Sequence, residues 1–561
     1  MQNNDFSNSL PLGTTGGQLP SDFRGVHIHF VGIKGTGMAA LVEILFHKGA
    51  VITGSDVSER FYTDEVLERL GLHALPFSAS NITDKVQYVI YSSAYKLDKN
   101  PDLIEAVRRG VPCLLYTQAL GAYSERAYSC GVCGVHGKTS TTGLVGTILK
   151  EIDLPTQVLA GSVINSFGGT CTYTSPTVKN DTSVVEPGTS VVEPVENTIR
   201  RSIFVAETCE YQRHFMSFCP QKIILTSVEP DHEDYYPTYE DIRQAFIDYI
   251  CKLPEGGEVI YCADDKGACD TVSLVRQKRP DIVMIPYGEN AENADIAGAE
   301  NTSSGGAGNF AKYDFTVNFG KVENERNNFS LRLFTKAGKG EFSLSMPGRH
   351  EVLDAAAAVA LVCRLLVTFG KNPLDYYENI KRGLLNFSGG KRRSEIVGRF
   401  KNKNGADVMV LDDYGHHPTA VKTTLEGYRD FYKGRKIIID FMSHTYSRTQ
   451  ALLPEFSKCF DSADFLILNK IYSSAREKPE DFKITGKTLY EKTKNHWKNS
   501  GKDENCIVYY EQAESALDFV NNLLNPDLEN NDNKNFPDGY LFITMGAGDN
   551  WKLGKAILEN K

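Results

Sequence analysis

A chain of 561 residues is longer than one hydrophobic core serves, and a composition of 41% hydrophobic and 24% charged residues is that of a globular protein, not of a disordered or membrane chain. The net charge of −10 argues against a general polyanion-binding surface, so nucleic acid is excluded as the main partner and any phosphate has to be bound locally. The N-terminus shows no basic start to an apolar run, and the most apolar stretch, Val352 to Phe369, carries Asp354 and Arg364. Neither a secretion signal nor a membrane span is therefore expected, and the twelve cysteines should be thiols in a cytoplasmic protein.

In chain order, residues 26–126 alternate VHIHFVGI, a glycine turn, MAALVEILFHKG, AVITGSD, VLERLGL and QYVIYSSA, the βαβ rhythm of a doubly wound sheet. The turn Gly32-Ile33-Lys34-Gly35-Thr36-Gly37 follows a strand, and Asp56 ends the next one, as in dinucleotide-binding folds. Its spacing is G-x-x-G-x-G, however, and a lysine lies inside it. A helix N-terminus holds any diphosphate, so a UDP-sugar suits the site as well as NAD does.

YSCGVCGV opens a second series. Cys130 and Cys133 form a lone CxxC, for which buried strand thiols are the simpler reading than zinc. Gly134-Val135-His136-Gly137-Lys138-Thr139-Ser140 then joins a strand to a helix, the setting in which backbone N–H groups cradle phosphates. Lys138 would meet the β and γ phosphates of ATP, and the Thr139 hydroxyl would help to hold Mg²⁺. The strands RSIFVAE, QKIILTSVE and GEVIYCADD end at Glu207, at Glu229 to His232, and at Asp264 and Asp265, where open α/β sheets gather ligands. A third series begins near residue 387 with DVMVLDDYG, RKIIIDFMSHTYS, DFLILNKIYSSA and YLFITMGAGD. TSVVEP at 182–187 recurs at 189–194, and residues 525–539 are polar and turn-rich; both read as solvated loops.

HFVGIKGTGMAAL, VHGKTSTT, AETCEYQRHF, TSVEPDHEDYY, PGRHEVLDAAAA, FSGGKRR, DDYGHHPTAV, HTYSRT and MGAGD follow one another along most of the chain, which in this resembles the Mur ligase family. DDYGHHPT with HTYSRT is similar to the members that add L-alanine. The resemblance implies an α/β fold of three domains: a Rossmann-like UDP-sugar-binding domain at 1–126, a central P-loop-type ATPase at 127–386 with a loop insertion about 172–200, and a Rossmann-like C-terminal domain at 387–561. It implies a reaction in which the carboxylate of UDP-N-acetylmuramate attacks the γ-phosphate of ATP, with Mg²⁺ or Mn²⁺ present, and L-alanine displaces phosphate from the acyl phosphate. A monomer or weak homodimer is expected.

Residue by residue, the resemblance assigns the UDP-sugar to Gly32, Lys34, Gly35, Thr36, Gly37, Asp56, Ser92 and Ser93. Lys138, Glu207, His232 and Arg393 would carry catalysis, with Thr139, Glu207 and His232 as metal ligands. Gly134, His136, Gly137, Lys138, Thr139, Ser140, His350, Asp354, Arg393 and Asp412 would hold ATP. Glu351 and Asp354 stand where relatives commonly carry asparagine, which alters the donors offered to adenine. Tyr414, His416, His444 and Arg448 would surround the amino acid, with Arg448 pairing its carboxylate. The nearest alternative is a ligase of the same family that joins whole peptides to muramate; one of another class is an NAD-binding oxidoreductase, which leaves GKTSTT, Glu207 and His232 without a task.

Overall fold

The first series folds as a parallel sheet of β1 (His27–Val31), β2 (Val51–Ser55), β3 (Tyr88–Tyr91) and β4 (Cys113–Leu115) in the order β2-β1-β3-β4. The chain reverses direction across the sheet between β1 and β3, so the glycine turn after β1 and Ser92-Ser93 after β3 open one crevice at the carboxyl ends. The computed structural model describes residues 19–179, 202–232, 235–293, 314–473, 477–526 and 535–559.

The central sheet contains β5 (Tyr128–Cys133), β6 (Thr156–Ile164), β7 (Thr170–Thr174), β8 (Ile203–Glu207), β9 (Lys222–Leu225), β10 (Glu258–Cys262) and β11 (Val283–Gly288). β12 (Phe315–Val322), β13 (Asn327–Leu331) and β14 (Phe342–Leu344) extend it, and among the described residues the order is β14-β13-β12-β11-β10-β9-β5-β8-β6-β7. Strand β7 pairs antiparallel with β6, so the first part of the expected 172–200 insertion belongs to the sheet edge. Both TSVVEP copies lie outside the described residues. Cys130 packs into the cluster on one face of the sheet and Cys133 into the cluster on the other. Residues three apart on a strand point oppositely, so this pair cannot share a metal and the buried-thiol reading stands.

The apolar run at 352–369 forms the helix Arg349–Thr368, packed against the helix Lys138–Lys150 and the sheet. Its Arg364 donates through Nε and Nη2 to Glu258, at 2.9 and 2.8 Å, and Glu258 also lies 2.7 Å from Lys222 Nζ. The charge that argued against a membrane span is thus paired inside the domain, and no helix of the described residues is long and apolar enough to cross a membrane.

The C-terminal sheet has the order β15-β16-β20-β17-β18-β19, from β15 (Glu395–Lys401), β16 (Asp407–Asp413), β17 (Arg435–Met442), β18 (Phe465–Leu468), β19 (Ile507–Tyr509) and β20 (Gly539–Gly546). The segment leading into it is fastened on both sides. Lys391 N donates to Val163 O at 2.8 Å and Asn165 N to Gly389 O at 3.2 Å on the central side. On the C-terminal side, Tyr414 N donates to Arg392 O at 2.7 Å, and Arg392 Nε and Nη2 donate to Asp412 and Gly546 O. Arg392 and Ser394 hold φ of 56° and 46°, a left-handed backbone that such anchoring has to maintain.

Candidate active site

Three neighbouring strands, β8, β5 and β9, deliver their carboxyl ends to one place. After β5, Gly134 (φ +135°) and Gly137 (φ +78°) shape the phosphate loop; a Cβ would lie 2.0 Å from Thr226 Oγ1 at the first and 2.3 Å from Asp354 Oδ1 at the second. Neither position admits a side chain. Gly137 caps the following helix without a side-chain acceptor, so the first-turn N–H groups remain for an anion. Lys138 Nζ lies 3.0 Å from Glu210 Oε2 and donates to Gly134 O at 2.5 Å. Burial disfavours its charge, but Glu210, with Cys209 and Glu207, outweighs that and holds the ammonium above its ordinary range. Glu210 itself is buried, and Lys138 and His232 keep it ionised against the cost of burial.

From β8, Glu207 Oε2 accepts from Thr139 Oγ1 at 2.8 Å and from Gly161 N at 2.7 Å. A carboxyl group beside a hydroxyl is a hard-oxygen pair of the kind Mg²⁺ takes, and two protein ligands suffice because Mg²⁺ keeps several waters. His232, in the loop after β9, has φ 59° and lies 3.4 Å from Glu210 Oε1. The structure therefore joins Thr139 directly to Glu207, and links His232 to Lys138 through Glu210, an acid the sequence reading did not single out.

The C-terminal domain closes over this group. The rings of Tyr414 and His416 are 5.1 Å apart and those of His416 and His444 6.2 Å, so the expected amino-acid cluster is assembled. Arg393 lays its guanidinium 5.5 Å from the centre of the Tyr414 ring. Arg448 Nη2 donates to Asp231 Oδ1 at 2.7 Å, joining the C-terminal domain to the loop of His232. Burial would raise the Asp231 carboxyl, but Arg448, then His232 and His416, hold it well below the usual carboxylate range. Burial, then Arg448, pushes His416 well below the ordinary histidine value, and burial above all brings His444 down to about 4, so both rings are neutral near pH 7. A second bridge pairs His136 of the phosphate loop with Glu229, whose other oxygen accepts from Thr419 Oγ1 at 3.2 Å, beside His417.

Other residues expected at the ligands also have partners within the protein. Asp412, expected at the ribose, is buried and accepts from Arg392 Nε and Thr544 Oγ1, both at 2.8 Å; here it braces the strand ends. Lys34 Nζ donates to the carbonyls of Val57 and Glu59, and Asp56 accepts from Lys34 N and Tyr95 Oη, so these two stabilise the glycine turn from behind. The cleft in front is lined by Gly35, Thr36, Gly37, Ser92 and Ser93. It continues past Tyr116, Thr117 and His214 to Gly161 and Glu207. Tyr116 and Thr117 lie in no motif, and His214, although inside AETCEYQRHF, had been given no role.

Among the residues expected at the nucleotide, Ser140 Oγ donates to Glu351 Oε1 at 3.1 Å, and Asp354 faces Gly137. Burial pushes Glu351 up to about 7, and burial with the adjoining Glu351 holds Asp354 well above the usual carboxylate range. Burial likewise lowers His350 to about 4. A carboxyl whose folded pKa exceeds its unfolded value destabilises the fold as pH rises above the unfolded value, and ceases to do so as pH falls back to it. Asp354→Asn is therefore expected to raise Tm by a few degrees at pH 8 and by less at pH 5. Thermal unfolding at both pH values checks this; an equal gain at both would contradict it.

Against known proteins, residues 27–128 match the family model described as Mur ligase family, catalytic domain; residues 132–362 match the Mur ligase middle domain; residues 392–529 match the Mur ligase, glutamate ligase domain. The chain belongs to the Mur ligase family. It is 42% identical over 545 residues to UDP-N-acetylmuramate--L-alanine ligase of Treponema pallidum (strain Nichols), covering 97% of this chain and 98% of that protein. The ligase of the same name from Borreliella burgdorferi is 34% identical over 534 residues, covering 94% and 97%. The crystal structure of UDP-N-acetylmuramate-alanine ligase from Thermotoga maritima shares the fold with a TM-score of 0.65 at 22% identity, over 95% of this chain and 98% of that one. A murein peptide ligase from Psychrobacter arcticus shares it with a TM-score of 0.59 at 19% identity, over 95% and 98%.

Proposed function

We propose that this chain joins L-alanine to the carboxyl group of UDP-N-acetylmuramate through an acyl phosphate, giving UDP-N-acetylmuramoyl-L-alanine, ADP and phosphate for peptidoglycan synthesis. The observation that carries the reading is the cleft that runs from the glycine turn at Gly35 to Gly37 up to Glu207, with Thr139 beside it. Relatives named for this reaction, aligned over nearly the whole chain, support it. The cytoplasmic setting expected from the sequence is part of the reading.

Two anions, a carboxylate and a triphosphate, have to meet, so the site must concentrate positive charge. Lys138 exchanges Glu210 for the phosphates of bound ATP. Thr139, Glu207 and His232 would hold Mg²⁺ or Mn²⁺, which would supply charge neutralisation at the phosphoryl oxygens. Arg393, without an ion pair among the described residues, is free to turn from Tyr414 to the nucleotide. The neutral rings of His416 and His444 place no second cation beside the alanine ammonium.

Phosphate release tests the reading. With UDP-N-acetylmuramate, ATP and Mg²⁺ present, release is expected on adding L-alanine and not without it. Release only on adding the muropeptide tripeptide would favour the peptide-joining branch of the family, and no ATP consumption with any amino acid would end the proposal.

A further inference from the structure

Asp231 immediately precedes His232 in the loop after β9, whereas Arg448 lies in the helix Tyr446–Ala451 after β17. The pair therefore forms only when the central and C-terminal domains come together. Asp231 Oδ1 accepts from Arg448 Nη2 at 2.7 Å, from Arg448 Nε at 3.1 Å and from the backbone N–H of His232 at 2.7 Å. Both side chains are 6% exposed. A guanidinium has five N–H donors. With Arg448 Nη1 donating once to His444 O at 2.8 Å, one N–H on each terminal nitrogen has no acceptor among the described residues. A carboxylate can take those two while Asp231 keeps its own bonds.

We propose that Asp231 is a positioning residue: it clasps the C-terminal domain to the loop of His232 and aims Arg448 at the carboxylate of the incoming amino acid. This rests on the amino-acid role of Arg448 given above. Either charge buried alone would be costly, whereas the buried pair is close to neutral in net stability, so the clasp forms and opens readily. An amino acid that binds the aimed arginine binds the closed state preferentially and so draws the domains together. The same carboxylate oxygen fixes the backbone of His232 in its left-handed conformation, which ties closure to the geometry of the phosphate side.

Asp231→Asn keeps the shape of the side chain and removes its charge. It is expected to raise the KM for L-alanine about tenfold or more and to lower kcat, while equilibrium binding of ATP changes by less than about twofold. Arg448→Lys is expected to raise the same KM, and the double variant should be within about threefold of the worse single one, because both changes break one contact. Asp231→Glu, which keeps the charge and guards against loss of folding in the asparagine variant, should fall between wild type and Asp231→Asn. Small-angle scattering with ATP, UDP-N-acetylmuramate and L-alanine should show contraction of the wild type and less of Asp231→Asn. Unchanged alanine KM in Asp231→Asn, multiplicative effects in the double variant, or a parallel fall in Tm and ATP binding would overturn the proposal. If Arg448→Lys alone leaves the alanine KM unchanged, it is the amino-acid role of Arg448 that fails, and scattering then decides the clasp by itself.

Discussion

Lys138→Met is expected to lower kcat by about a thousandfold or more, with the sugar nucleotide still bound. The ammonium stands at the mouth of the loop from Gly134 to Gly137, where approaching anions most need a cation, and methionine keeps only the stem. The change also strands Glu210, whose side chain is 2% exposed and whose nearest cation is 3.0 Å away. Leaving one member of a buried pair alone costs about 3–5 kcal/mol, so the single variant should also melt at lower temperature. Lys138→Met combined with Glu210→Gln removes both charges and is expected to regain Tm without regaining turnover. Steady-state phosphate release and calorimetry on the two proteins separate these effects; turnover restored in the double variant would refute the role of Lys138.

Glu207→Gln is the second large effect, an expected fall in kcat of about a hundredfold to a thousandfold with a raised Mg²⁺ requirement. Glutamine can still meet Thr139 Oγ1 and Gly161 N, which now lie 2.8 and 2.7 Å from the carboxylate, so the fold should persist. What it cannot supply is the negative oxygen that a hard divalent ion prefers. Initial rates across a Mg²⁺ series read this directly. An unaltered Mg²⁺ dependence would take Glu207 out of the metal site.

The phosphate loop was legible in the sequence because its parts are contiguous: glycines where the backbone turns left-handed, then lysine and threonine on the first helical turn. The sheets were legible for a related reason, since apolar runs ending in polar tips report strands and their carboxyl ends. Pairings between distant segments were not. Glu210 meets Lys138 across 72 positions and Asp231 meets Arg448 across 217, and no local period encodes which acid faces which base. Glu210 did leave one trace, a second acid three residues after Glu207 in AETCE. Asp412 and Lys34 have residue types that a ligand site uses, and nothing in the sequence marked their partners within the protein, Arg392 for the one and the Val57 and Glu59 carbonyls for the other.

The segment between the second and third sheets is held to the central domain up to Lys391 and to the C-terminal domain from Arg392 onward. Any swivel of one body on the other has to turn about the bonds between those anchors, which places Arg393 almost on the pivot. An arginine there travels little while the rim that carries His444 and Arg448 sweeps through a long arc, as on a lever. With the roles proposed above, the rim that would take the amino acid can swing wide between turnovers while Arg393, at the fulcrum, keeps its place beside the central domain.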